Sequence, residues 1–427
     1  MSFSVWPYWG RLSVETRQLI LESLDQITPS DLVVLGDIKS PGWQLIKPAK
    51  SRSGYAVVNR EFQHFFEART VAYLQLSQED LQEFRRIMAG QNVCRLSYVR
   101  RLWLRVVLPT YDCNVCQEPE DSLTKANNNA VMTRALTLLL ETLSRWKKKD
   151  FLAENQDLKD MVLEISAHSP SDSQHSWLQM FGLRDSYPYS TSPSGMRLQE
   201  RFTDWFYFMD RHFVIAKTTD GFHHLQNGYL RIRNLPGGAK ARLFGAALEL
   251  NFRNSPLVGR RRKRNRFPVV EIVTGLCFRR QFHRRLAPSM LGKLIDSFVC
   301  LQDIQHEFWV PSKIWTASQE DYQYEKELSS YLLTPGLPKT VRRLSLFRDF
   351  NHQFTGRESK KPAVRAVPVM AYSVFKASRH LEVLSSSWIT DAADFFKVPV
   401  WNEKGGHTSA VSRSQQTRFI PTSRLTR

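Results

Sequence analysis

Apolar positions recur along this chain with two periods, and the switching between them predicts strands that alternate with helices. Leu102, Leu104, Val106 and Leu108 alternate with Arg101, Trp103 and Arg105, the pattern of a half-buried strand that Pro109 stops. Just before it, Tyr73–Leu76 reads as a short strand. It runs into Ser77-Gln-Glu-Asp80, a start resembling a capping box, and then Leu81, Phe84, Ile87 and Met88 share one side of a helix that ends near Gly90. A longer helix is expected from about Ala130 to Trp146 with Val131, Ala135, Leu139 and Leu143 inward, followed by a strand over Met161–Ser166.

The C-terminal half is more regular. Leu301-x-x-Ile304, Val341-x-x-Leu344 and Leu381-x-x-Leu384 enter three expected strands at spacings of 40 and 40 residues, and a further strand is expected over Val269–Phe278. The helix Pro288–Val299 carries Met290, Leu291, Leu294, Ile295 and Phe298 on its apolar side, and Ser318-x-x-Asp321 opens another that reaches Leu333. Standard leucine-rich repeats have periods of about 20–29 residues. The expected fold is therefore α/β (α+β): an irregular, leucine-rich-repeat-like body in which each strand lines one surface of an incomplete solenoid.

The N-terminus reads differently. Ser13 can cap a helix, Glu15 complements the dipole of its first turn, and Leu12, Ile20 and Leu24 recur on one side. Such a helix suits either a partner or its own domain. The stretches Trp9-Gly-Arg-Leu12-Ser-Val-Glu15-Thr-Arg17-Gln-Leu19-Ile20-Leu21 and Ala56-Val-Val58-Asn-Arg60-Glu-Phe62 resemble the two ends of an F-box. They depart from its pattern in lacking Pro after Leu12 and in having Phe62 where Trp is usual. Residues 31–54 separate the two ends; an inserted loop, cheap in closure entropy, and a retained intron both account for that segment.

Further stretches resemble those of a large family of F-box-like proteins from filamentous fungi. They are Arg100-Arg-Leu-Trp-Leu104, Leu108-Pro-Thr-Tyr-Asp112-Cys, Ala167 to His175, Val273-Thr-Gly-Leu-Cys-Phe-Arg279-Arg and Asp391-Ala-Ala-Asp-Phe-Phe396. The resemblance implies a substrate receptor of an SCF-type ubiquitin ligase, with no enzymatic activity of its own and no cofactor. Leu12, Leu19, Ile20, Leu21, Leu24, Val58 and Phe62 would then bind a cullin-ligase adaptor protein, and the body would hold an unknown substrate protein.

Composition fits a large folded chain. With 427 residues, 42% hydrophobic and 12% aromatic, it can bury a sizeable core, and its length suits two or three domains. The boundaries expected are an F-box-like module over 1–66, a first βα body over 67–266, repeat-like units over 267–396 and a disordered basic tail over 397–427. Neither a signal peptide nor a membrane span is visible, so cytoplasm or nucleus is the expected location.

Charge adds a second functional class. Lys and Arg number 60 against 41 acids, a net charge of +19. Much of the excess lies in 253–266, where Arg260, Arg261, Arg262, Lys263 and Arg264 form a run suited to nuclear import or nucleic-acid contact.

Candidate chemistry is sparse. No nucleophile elbow, phosphate-binding loop, dinucleotide turn or paired zinc-protease histidines occurs. Cys113-x-x-Cys116 lacks the second pair that a zinc site needs and reads first as two loop thiols. His168, Asp172 and His175 share one loop with three serines, which suits either a hydrolase or a turn that folds on itself through Asp and Ser bonds to its backbone. That loop is the best candidate for an unassigned site. From Leu183 to Gly259 the chain is hard to place: Tyr187–Gly195 is turn-rich, and Phe202, Trp205, Phe206, Phe208 and Met209 suit a core more than base stacking.

Overall fold

The computed structural model describes residues 9–27, 33–35, 44–46, 52–89, 95–147, 161–175, 241–242, 245–250, 266–279, 284–309, 319–333, 337–349, 368–387, 389 and 418–419. The chain divides into two compact units, Met1–Gln75 with Glu83–Leu102, and Leu76–Gln82 with Trp103–Arg427.

The first unit is mainly helical. Helix α1 (Val14–Ile27) starts where Ser13 Oγ accepts from the Thr16 N–H at 3.2 Å. The Glu15 carboxyl is held below its usual range by its own backbone N–H and by Ser13. After a short helix α2 (Arg52–Tyr55), Asn59 caps α3 (Arg60–Val71), its side chain accepting from the Phe62 N–H at 3.0 Å. Leu21 of α1, Trp9, and Phe62, Phe65 and Phe66 of α3 make the core of this unit, with Ile20, Leu24, Tyr55, Ala56 and Val58 packed against it. Two ion pairs frame the α1–α3 contact: Arg17 with Glu61 at 3.5 Å and Asp25 with Arg69 at 3.2 Å. The segment between α1 and α2 holds a small antiparallel ladder, β1 (Val33–Leu35) against β2 (Gln44–Ile46). Strand β3 (Tyr73–Leu76) and helix α4 (Leu81–Ile87) follow. Ser77 and Asp80 form a turn ahead of the helix rather than a cap on it, the Ser77 N–H and hydroxyl both donating to the Asp80 carboxylate at 2.7 Å, and Ile87 points outward rather than inward.

The second unit is an α/β body. Its sheet holds, side by side, β10 (Arg418–Phe419), β9 (Val383–Ser387), β8 (Arg343–Asp349), β7 (Asp303–Trp309), β6 (Val273–Phe278), β5 (Met161–His168) and β4 (Arg101–Val107), and every pairing from β5 to β10 is parallel. The forty-residue spacing sets the register: Asp303 pairs with Arg343 and Arg343 with Val383, so Ile304, Leu344 and Leu384 stand side by side. Leu163 and Leu276 extend the same row across β5 and β6, and all five are buried. Helix α5 (Ser122–Leu143) begins well before Ala130, because Asp121 caps it through the Thr124 N–H at 2.7 Å. Its first turns are exposed, but from Met132 to Leu143 it is buried nearly all round rather than along one stripe, and Thr133, Thr137 and Thr142 satisfy their hydroxyls on carbonyls four residues back.

Helices α7 (Pro288–Ser297), α8 (Gln319–Leu328) and α9 (Pro368–Ser378) form one layer with the π turn Ser329–Leu333. Tyr324 of α8 lies 5.6 Å from Phe308 of β7, and Glu325 of α8 pairs with Arg348 of β8 at 2.7 Å. These partners mark the face of β7 and β8 that the layer covers. It is the face of Ile304, Leu344 and Leu384, since side chains alternate along a strand. On the same face His306 is wedged between Phe278 and Phe308, and burial pushes its imidazole down to about 4. Among the described residues no helix is long and apolar enough to cross a membrane.

Candidate functional site

Three places in the structure bear on function. The first is the outer side of α1. Leu21 is 1% exposed, but Leu19 is 63% exposed, Val14 64% and Val57 83%, with Leu12 also open to solvent. Within α1, Leu19 faces solvent while Arg17, Ile20, Leu21 and Leu24 face the core; Leu12 lies before the helix, just after the turn Trp9–Arg11. The expected adaptor-binding set therefore splits. Leu21 and Phe62 are core, Ile20, Leu24 and Val58 pack on that core, and Leu12 and Leu19 face outward. Such side chains scattered singly are ordinary on a protein surface.

The second place is the sheet face opposite the helix layer. Its positions are Val162, Glu164 and Ser166 on β5, Gly275 and Cys277 on β6, Asp303, Gln305 and Glu307 on β7, Arg343, Ser345 and Phe347 on β8, and Val383 and Ser385 on β9. At the β5–β6 end Glu164, Ser166 and Cys277 are buried. Trp103 of β4 donates to Ser166 at 2.9 Å, and Arg279 pairs with Glu164 at 3.2 Å. A Cβ on Gly275 would meet Val162 Cγ2 at 2.9 Å, so this strand pair leaves no room for a side chain there. From β7 to β9 the face opens. Asp303, Gln305, Glu307, Ser345, Phe347, Val383 and Ser385 are half-buried and Arg343 is exposed, joined by the Arg343–Asp303 pair at 3.0 Å and the Gln305–Glu307 bond at 2.7 Å.

The third place is the loop after β5. Pro170–His175 is a short helix, α6, rather than an open loop. Asp172 caps it, one carboxylate oxygen accepting from the Ser169 N–H at 2.9 Å and the other from the Tyr111 hydroxyl at 3.1 Å. The Ser171 hydroxyl accepts from the Tyr111 N–H at 3.0 Å, and the Ser169 hydroxyl donates to the Pro109 carbonyl at 2.8 Å. These bonds tie the end of β5 to the end of β4. Burial is the main reason that the Asp172 carboxyl rises above its usual range, with Arg284 pulling the other way; burial and then Asp172 raise the Tyr111 phenol.

Sequence reasoning missed the groups around this aspartate. Arg284, 1% exposed, donates to Glu120, which also accepts from Asn128 at 2.8 Å. Gly245 adopts φ +60°, and a Cβ there would sit 1.8 Å from Arg284 Nη1. Arg242 is clamped by the carbonyls of Glu118 and Pro119 at 2.7 and 3.1 Å, with its guanidinium 5.0 Å from the Tyr111 ring centre. No sequence signal singled out Arg284, which stands in the polar stretch Arg279-Arg280-Gln281-Phe282-His283-Arg284-Arg285. His168 closes β5, and its carbonyl accepts from the Leu108 N–H at 2.8 Å. The side chain of His175, like all of Arg260, Arg261, Arg262, Lys263 and Arg264, lies outside the described residues. So does most of the middle segment from Leu183 to Gly259.

Over residues 336–418 the chain is similar to a family of unknown function, DUF6546. That stretch holds β8, α9 and β9 and runs past Phe396 to the first residue of β10. No curated protein and no solved structure matches the chain. Among the described residues no group of three or more His, Cys, Asp or Glu is placed to hold a metal ion.

Proposed function

We propose that the chain is an F-box-like interaction protein, the substrate receptor of an SCF-type ubiquitin ligase. The observation that carries this reading is the two-sided α1. Leu21 packs with Trp9 and the α3 phenylalanines, while Leu19 on the helix and Leu12 just before it are exposed, as are Val14 and Val57 in the same unit. Leu12 and Leu19 would contact a cullin-ligase adaptor. Ile20, Leu21, Leu24, Val58 and Phe62 would hold the helices in position to do so. The half-open face of β7, β8 and β9 would receive the substrate protein through Gln305, Glu307, Arg343, Ser345 and Phe347, an arrangement of charged and hydroxyl groups around one aromatic anchor.

Co-purification of the adaptor with the full chain tests this reading. Wild type should retain the adaptor, Leu19→Asp should lose it with the fold intact, and Arg343→Ala should retain it. Failure of wild type to hold the adaptor, or retention by Leu19→Asp, overturns the proposal. Ile20→Asp and Leu24→Asp are poorer probes, because both residues pack on the core and their loss mixes folding with binding.

A further inference from the structure

Cys113 and Cys116 stand in the connection between β4 and α5, on the 3-10 turn Cys113–Val115. Their sulfurs are 4.0 Å apart, and the Cys116 N–H closes the turn on the Cys113 carbonyl at 3.3 Å. The two thiols differ in access: Cys113 is half-exposed and Cys116 is buried. Burial and the neighbouring Cys113 raise the Cys116 thiol above its usual range. Both ends of the connection are fixed. Upstream, Tyr111 is bonded to Ser171 and Asp172; downstream, the carbonyls of Glu118 and Pro119 grip Arg242. The sulfurs are thus held near each other by a short segment tied at both ends, and closure to a bond of about 2.05 Å must bring them about 2 Å closer.

We propose that Cys113 and Cys116 form a reversible intramolecular disulfide by exchange with a low-molecular-weight disulfide of the glutathione type. The Cys113 thiolate, the accessible one, attacks one sulfur of the small disulfide. That S–S bond breaks, one small thiol leaves, and a mixed disulfide remains on Cys113. Cys116 then loses its proton to water, its sulfur attacks the Cys113 sulfur, and the second small thiol departs. Two protein thiols are oxidised by two electrons, and one small disulfide is reduced to two thiols. A dithiol of this spacing can also be half of a metal site, but the described residues offer no third ligand group.

The native full-length protein, incubated in glutathione buffers of rising oxidised fraction, acid-quenched, alkylated and mapped by mass spectrometry, tests the assignment. The peptide containing Cys113 and Cys116 should lose both alkyl groups together with no glutathione attached, and dithiothreitol should restore both. In Cys116→Ser the same treatment should leave one glutathione on Cys113. Cys300, half-exposed at the end of α7, reports ordinary thiol oxidation within the same sample. Three outcomes overturn the proposal: both alkyl groups persist at ratios that modify Cys300, the urea-unfolded chain closes the bond at the same ratio as the native chain, or zinc added without oxidant protects both thiols. The wild-type arm decides even if the variant fails to fold.

Discussion

Leu19 and Leu21 are two residues apart on α1, one largely exposed and one sealed against three phenylalanines; on β8, Leu344 and Ser345 are adjacent, and the leucine is buried while the serine meets solvent. The strand obeys the usual division, apolar side inward and polar side outward. The helix does not, because the aliphatic side chains of Val14 and Leu19 are largely exposed on it. In the body, burial of the leucine row accounts for the leucines. In the N-terminal unit, burial accounts for Leu21 and leaves Leu12 and Leu19 to be explained by something outside the unit. That difference is why the helix, rather than the sheet, carries the proposed adaptor contact.

The largest effects should come from the body's interior. Glu120→Ala would leave Arg284 charged and sealed, at a cost of about 3–5 kcal/mol in urea unfolding, the range for breaking one partner of a buried pair. Replacing both residues with apolar ones of similar volume should recover much of that loss. Leu344→Ala should cost about 2–5 kcal/mol, since it opens the row shared with Ile304 and Leu384. A small effect at either position would remove the contrast with α1.

His306 sharpens the comparison through pH. Its imidazole titrates near 4 when folded and near 6.5 when unfolded, so between those values the unfolded chain binds the extra proton. Stability should therefore be greatest above about pH 6.5 and fall by about 3 kcal/mol as pH drops to about 4, below which this contribution levels off. His306→Phe, set between Phe278 and Phe308, should flatten that slope in unfolding measured across the window. The smallest effects belong to the outer surfaces. Leu19→Asp and Arg343→Ala should each change stability by no more than about 0.5 kcal/mol. A large destabilisation by Leu19→Asp would mean that the residue serves the fold.

Much of the body was legible in the sequence because its signals are local. The forty-residue spacing of Leu301, Val341 and Leu381 carried straight into the register of β7, β8 and β9. The start of α5 was less visible, since Ser122 to Asn129 is polar and only Asp121 signals the cap. Ile87 fits the helical spacing of Leu81 and Phe84 yet points outward, because periodicity places a residue on a face without saying how wide the buried face is. Around Asp172, the sequence exposed the aspartate and its serines. It could not show that Tyr111, Glu120, Arg242 and Arg284 come together there, because those residues are brought from separate segments by folding and share no motif. The same limit applied to α1: spacing showed an amphipathic helix, but only the packing of Trp9, Phe62 and Phe66 decides which leucines are spent inside.

Calorimetric titration of the full chain with purified cullin-ligase adaptor, wild type beside Leu19→Asp at matched stability, tests the central claim most directly. Saturable one-to-one binding by wild type, weakened roughly thirty-fold by the substitution as a hot-spot loss of about 2 kcal/mol gives, is the predicted result. No binding by wild type, or equal binding by both, contradicts it.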